Sequence, residues 1–170
     1  MRIQSNDWQP DPDWEAPSQE KVDEYVQRAT RFMAKARGWC EARGLSVQDE
    51  PATMKAYGLP DFAVPGLVIL AGDVRMAQLR SAAWSTMPGN GAIDLSGPVA
   101  RHSFYFHAEE VRLSWRSRFV NGELIRIPGS VSAGVGGNDW FWTPPHLRRH
   151  QRVDESLFID LLRDMTACEL

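Results

Sequence analysis

His107 and Glu110 stand three residues apart around Ala108-Glu109, a spacing that a tight turn closes into a facing pair. A carboxylate beside an imidazole fixes the ring and makes it a competent general base. Ser103 and Tyr105 precede the histidine at alternate positions and Arg112 follows the glutamate, so strands would carry all of them on one side. Arg112 or Arg116 would then hold a carboxylate or phosphate through the guanidinium fork. Read as chemistry, this is a small enzyme acting on an anionic substrate, with His107 as base, Glu110 orienting it and Tyr105 as a further catalytic candidate. The Gly-rich stretch 129–139 would close over them. The plainer reading of the same residues is a cross-strand polar pair on a half-exposed sheet, which needs no pocket.

Other signatures are missing. His146 and His150 are four apart, which suits a metal only on a helix, and Pro144-Pro145 stand just before them with no third ligand in view. His102 is expected on the apolar side of the sheet beside Trp115, as a core histidine. Cys40 and Cys168 belong to no CxxC and read as two free thiols in a reducing compartment, the alternative being a disulfide between the first and last helices. No GxSxG, HExxH, EF-hand loop or GxxxxGK[ST] occurs, and GVGG at 134–137 reads as a surface loop without a following lysine. The sequence thus predicts no metal and no cofactor.

The stronger pattern is one of binding. Between positions 101 and 152 eight arginines face four acidic residues, a local formal charge of +4, whereas residues 1–25 hold seven acids against Arg2 and Lys21, or -5. Trp140, Phe141 and Trp142 stand just before Arg148, Arg149 and Arg152, and Trp and Arg are the residue types that dominate protein–protein hot spots. An extended Trp140-Phe141-Trp142 cannot point all three rings the same way, so at least one is expected to face outward or into a groove. The surface so defined is Arg112, Arg116, Arg118, Trp140, Trp142, Arg148 and Arg149. Aromatic rings beside guanidinium groups also suit single-stranded nucleic acid, although no RNP-type, helix-turn-helix or zinc-finger pattern is present.

These residues need elements to position them. Residues 1–17, with Pro10, Pro12, Pro17, Trp8 and Trp14 among four acids, read as an extended acidic arm. Lying across the basic surface, that arm would compete with a partner, and deleting residues 1–16 would then strengthen binding. Ser18 caps a helix whose apolar residues run Val22, Tyr25, Val26, Ala29, Phe32, Met33, Ala36 and Cys40, closed by Gly44; its basic polar face reads as solvated. Pro51–Tyr57 is read as one or two helical turns, Leu67–Leu70 as a buried strand, Asp73–Trp84 as a helix and Ile93–Leu95 as a strand. From 100 to 127 the pattern is a meander. Asn121-Gly122 is a type I′ hairpin signal that pairs residues summing to 243, and a turn at Ala108-Glu109 pairs those summing to 217. Phe106 then faces Val111 and Phe104 faces Leu113, while Arg116 and Arg118 lie opposite Ile127 and Ile125. Val153 to Met165 closes the chain as a helix.

The whole predicts an α+β fold, a long N-terminal and a C-terminal helix packed on an antiparallel sheet, with residues 18–170 as a single domain. The 170 residues, 43% hydrophobic and 24% charged with net charge -3, fit one globular core and argue against a nucleic-acid coat protein. The longest apolar stretch, 62–71, is about half a membrane span and is broken by Pro65 and Gly66. The polar start lacks a secretory pattern, so the expected location is the cytoplasm. The expected function is a non-catalytic macromolecule-binding protein, a small inhibitor, immunity or adaptor protein with a protein partner. The anionic-substrate enzyme and the nucleic-acid binder are the alternatives.

Overall fold

In the structure, a computed structural model, the described residues are 17–85, 90–108, 115–120, 123–128, 137–144 and 150–165, with backbone path and pairing for 115–120 and 123–128. The acidic arm, Glu110, Arg112, His146, Arg148, Arg149 and Cys168 lie outside them.

Helix α1 spans Gln19–Glu41, and the Ser18 hydroxyl accepts from the Lys21 amide at 3.3 Å, the expected cap. Its buried stripe is Val22, Tyr25, Ala29, Phe32, Met33, Ala36 and Cys40. Gly44, at φ +75, ends the following turn, and the chain then enters strand β1, Ser46–Asp49. Further strands are β2 Ala52–Met54, β3 Phe62–Val64, β4 Gly66–Ala71, β5 Val74–Ala83, β6 Ala92–Ser96, β7 Arg101–His107, β8 Trp115–Val120, β9 Glu123–Pro128, β10 Asp139–Trp142 and β11 Gln151–Arg152. Helix α2, Glu155–Met165, closes the described chain; Asp154 caps it by accepting from the Leu157 amide at 2.9 Å.

Seven strands form one antiparallel sheet in the order β1-β4-β5-β6-β7-β10-β11, while β2-β3 and β8-β9 pair separately. The two helices pack on one face of the large sheet, so the α+β arrangement is the fold. Leu67, Ile69, Leu79, Ile93, Leu95, Phe104 and Trp140 meet Tyr25, Phe32, Phe158 and Leu162 in the main core. The other face carries two polar clusters. Glu50 accepts from Arg75 at 3.3 Å and from Gln78, and Asp94 accepts from Ser103 at 2.6 Å and from Arg101. At the edge, Arg37 donates to the Val47 carbonyl at 2.8 Å and to Asp49 at 2.5 Å, occupying a backbone acceptor of β1. Among the described residues no helix is long and apolar enough to cross a membrane.

Three local expectations are corrected. Residues 52–54 form strand β2 rather than a helical turn, pairing Ala52 with Val64. Residues 74–83 form a strand and not a helix: Ala71 pairs with Val74 around Gly72-Asp73, with Gly72 at φ +60, so Asp73 is a hairpin residue and not a helix cap. The pairing of β8 with β9 has the expected sum of 243, but the 217 pairing of Phe104 and Phe106 is not formed. Phe104 instead pairs with Ile93 and Trp142, and Phe106 pairs with Trp140 while its amide donates to Gly91. Both flanks of β7 are taken at those positions, by a strand before it and one some 30 residues after it.

Candidate functional site

The pairing of β10 with β7 brings the aromatic segment beside the N-terminal half of α1, and a cleft of about 370 Å³ opens between them. Phe32, Phe106 and Trp140 form its floor, and Arg28, Arg31 and Lys35 stand on its helical rim with Glu24; Asn138 and Asp139 close the far side. The rim follows from helix geometry, since residues 24, 28, 31 and 35 recur at spacings of three and four and share one face. The floor follows from β-alternation, which turns Phe106 and Trp140 to the same side. Their rings meet edge to face at 5.3 Å.

Two of the three rim cations have no ion-pair partner among the described residues. Arg28 pairs with Glu24 at 2.9 Å and lies over the Phe106 ring at 4.5 Å from its centroid. Arg31 and Lys35 are exposed and make no ion pair or hydrogen bond among the described residues. On the opposite rim, Asp139 lies 3.5 Å from Arg152. Asn138 takes φ +32 and Gly137 φ +66, a sharp bend in the backbone just before β10. The arrangement presents positive charge around an aromatic base, a recess that fits an acidic chain carrying an apolar side group.

No protein-family model, curated protein or solved structure matches this chain.

The structure separates the expected binding residues. Trp140 is only 3% exposed and belongs to the core, so it shapes the cleft floor and is not a surface contact. Trp142 is half-buried, with its ring 5.6 Å from His102. The register of β8 and β9 places Arg116 opposite Ile127 and Arg118 opposite Ile125, as expected. The expectation that the WFW rings could not all be buried alike holds in part: Trp140 and Phe141 are both buried, on opposite faces of a strand flanked by β7 and β11.

The catalytic candidates are placed differently from the expected pair. His107 is 8% exposed, and its ring lies 5.2 Å from that of His150 and 5.6 Å from that of Phe141. Tyr105 is half-buried beside Phe141 in the register. Neither His107 nor Tyr105 lines the α1–β10 cleft, nor the second recess around Glu50, Arg75 and Arg80. Cys40 is a free, buried thiol, pushed up to about 11 chiefly by burial, which leaves it protonated and unreactive at neutral pH. Sequence reasoning missed Arg31 and Lys35 because a basic helix face reads as solvated until a strand is known to lie beside it.

Burial holds the His107 imidazole below its ordinary value, and the neighbouring His150 adds to the effect; burial lowers His150 as well. Both rings are thus held neutral in the fold. Below the ordinary value of 6.5 the unfolded chain binds protons that the folded chain refuses, so stability rises with pH in that window. In chelator-treated buffer, the melting temperature should fall as the pH drops through about 6.5 and flatten once the folded rings protonate. His150→Asn should reduce this slope. An equal slope in both proteins would show that the two rings are not its source.

Proposed function

We propose that this chain is a cytoplasmic, non-catalytic binding protein, an inhibitor, immunity or adaptor protein whose partner is another protein. The observation that carries this reading is a pair of exposed cations, Arg31 and Lys35, without an ion-pair partner among the described residues, on the rim of an aromatic-floored cleft. A pair of exposed cations with no partner among the described residues contributes little to the described core and can meet an opposite charge. The occupant that fits is an acidic segment of the partner with one apolar or aromatic side chain for the floor. Arg116 and Arg118, which the register sets at alternate positions of β8, remain in the proposed partner-binding set.

The test is a tagged capture from lysate of the source cells, with and without nuclease, using the wild-type chain and an Arg31→Glu/Lys35→Glu double variant. The expected result is one protein retained in stoichiometric amount after nuclease and weakened at least tenfold by the double variant. Reversed charges would face the partner's acids, a juxtaposition that costs several kcal/mol. The melting temperature should barely move, because both side chains are exposed and make no ion pair among the described residues. Undiminished capture by the double variant would overturn the cleft assignment. Material lost to nuclease in both proteins would replace the protein partner with a single-stranded nucleic acid.

A further inference from the structure

His107 and His150 are 43 residues apart in sequence and adjacent in the fold. We propose that together they form a binding site for a divalent transition metal of borderline softness, Zn²⁺ first, with solvent completing the coordination.

Three observations converge. The ring centroids are 5.2 Å apart with planes at 63°. Two imidazoles sharing a tetrahedral ion at metal–nitrogen distances of about 2.0–2.1 Å have centroids about 5 Å apart, a centroid spacing that this ring pair matches. Second, His107 Nε2 is buried and has no hydrogen-bond partner among the described residues. A ring nitrogen is rarely left so, and an ion is one of the few groups that explain it. Third, His150 Nδ1 and Thr143 Oγ1 are 2.6 Å apart. When Nδ1–H donates to that hydroxyl, the Nε2 lone pair is left for a metal, the outer-sphere arrangement that orients metal-binding histidines.

The surroundings agree. Phe141 packs its ring 5.6 Å from His107 and makes one wall apolar. Both imidazoles favour the neutral form, which is the form that binds metal. Among the described residues no third His, Cys, Asp or Glu joins the pair, so the site would be open and weaker than a closed four-ligand centre. This site is separate from the α1–β10 cleft, and its failure would leave the binding reading untouched.

The experiment is calorimetric titration of Zn²⁺ into the full-length, chelator-stripped protein at neutral pH. It is repeated with His150→Ala, Thr143→Val and, as control, His102→Ala. His150 and Thr143 are half-buried, so their variants are expected to fold, with circular dichroism as the check. One Zn²⁺ per chain should bind, weakened at least tenfold in His150→Ala and less in Thr143→Val, with His102→Ala within twofold of wild type. Long-range ¹H–¹⁵N spectra should show both His107 and His150 ring nitrogens shifting as Zn²⁺ is added, a signature that a merely structural role would not give. No heat and no spectral shift at millimolar Zn²⁺ would overturn the proposal. So would a stoichiometric site that His150→Ala leaves intact.

Discussion

Phe32→Ala is expected to lower unfolding stability by about 3–5 kcal/mol, seen as a fall in the urea midpoint with little change in its slope. The reason is the position of one ring. Phe32, on α1, lies 6.2 Å from Trp39 on the same helix, 5.7 Å from Phe104 on β7, 5.5 Å from Trp140 on β10 and 6.3 Å from Phe158 on α2. Such ring pairs add to the area each side chain buries. Each neighbour is anchored in its own element, so none can slide in to fill the space, and the loss contains a full cavity contribution. Phe32→Leu, which keeps most of the volume, should lose only about 1–1.5 kcal/mol. Phe32 also floors the cleft, so Phe32→Leu is the variant in which binding and stability separate. A loss under about 1 kcal/mol for Phe32→Ala would mean that the cluster collapses freely, and that the cleft floor is not a fixed shape.

The parts of the fold legible in the sequence are those whose signals are local. Helix α1 announces itself through a cap, about five turns of apolar periodicity from Val22 to Cys40 and a closing Gly44, all within one stretch of chain. The β8-β9 register was readable because Asn121-Gly122 sets it by turn geometry alone. What failed was pairing over distance. A turn at Ala108-Glu109 closes the shorter loop, and loop-closure entropy favours that choice when nothing else is known; the native neighbour of β7 is β10. The Asp73–Trp84 segment misled for another reason. Asp73 is a good helix cap, and Met, Ala, Gln, Leu and Arg are good helix formers, yet the sheet overrides that propensity. Register shifts at Ile69/Leu70 and Ser81/Ala83 also blur the alternation that would have marked a strand. Gly72-Asp73 was the signal present for that hairpin. The candidate sites inherit the same limit. Arg31 and Lys35 were visible only as a polar helix face, and His107 met His150 only through strands that the local reading could not join.

Gly91→Ala carries the second large expected effect, again about 3–5 kcal/mol, and here the loss comes from backbone and packing together. Gly91 sits at φ +131, a conformation that L side chains rarely adopt. A Cβ there would fall 2.4 Å from Cδ2 and 2.6 Å from Cε2 of Tyr25. The Tyr25 ring cannot step aside, because it is fully buried and its hydroxyl donates to the Ala92 carbonyl at 2.9 Å. Nor can the backbone move, since Gly91 O accepts from the Phe106 amide at 3.0 Å and the Asn90 amide donates to Phe106 at 2.8 Å. The methyl group would therefore have to separate α1 from β6 or β6 from β7, and either route weakens the sheet that carries Phe106 and the cleft floor. Gly38→Ala is the contrasting substitution. It lies in α1 with nothing within 4 Å of the added Cβ, so it should stabilise the protein by about 0.5–1 kcal/mol. Opposite signs for the same chemical change, read in one set of urea titrations, would tie the strain at Gly91 to its place under Tyr25. A neutral Gly91→Ala would mean that α1 does not press on the β6 entry as closely as the structure has it.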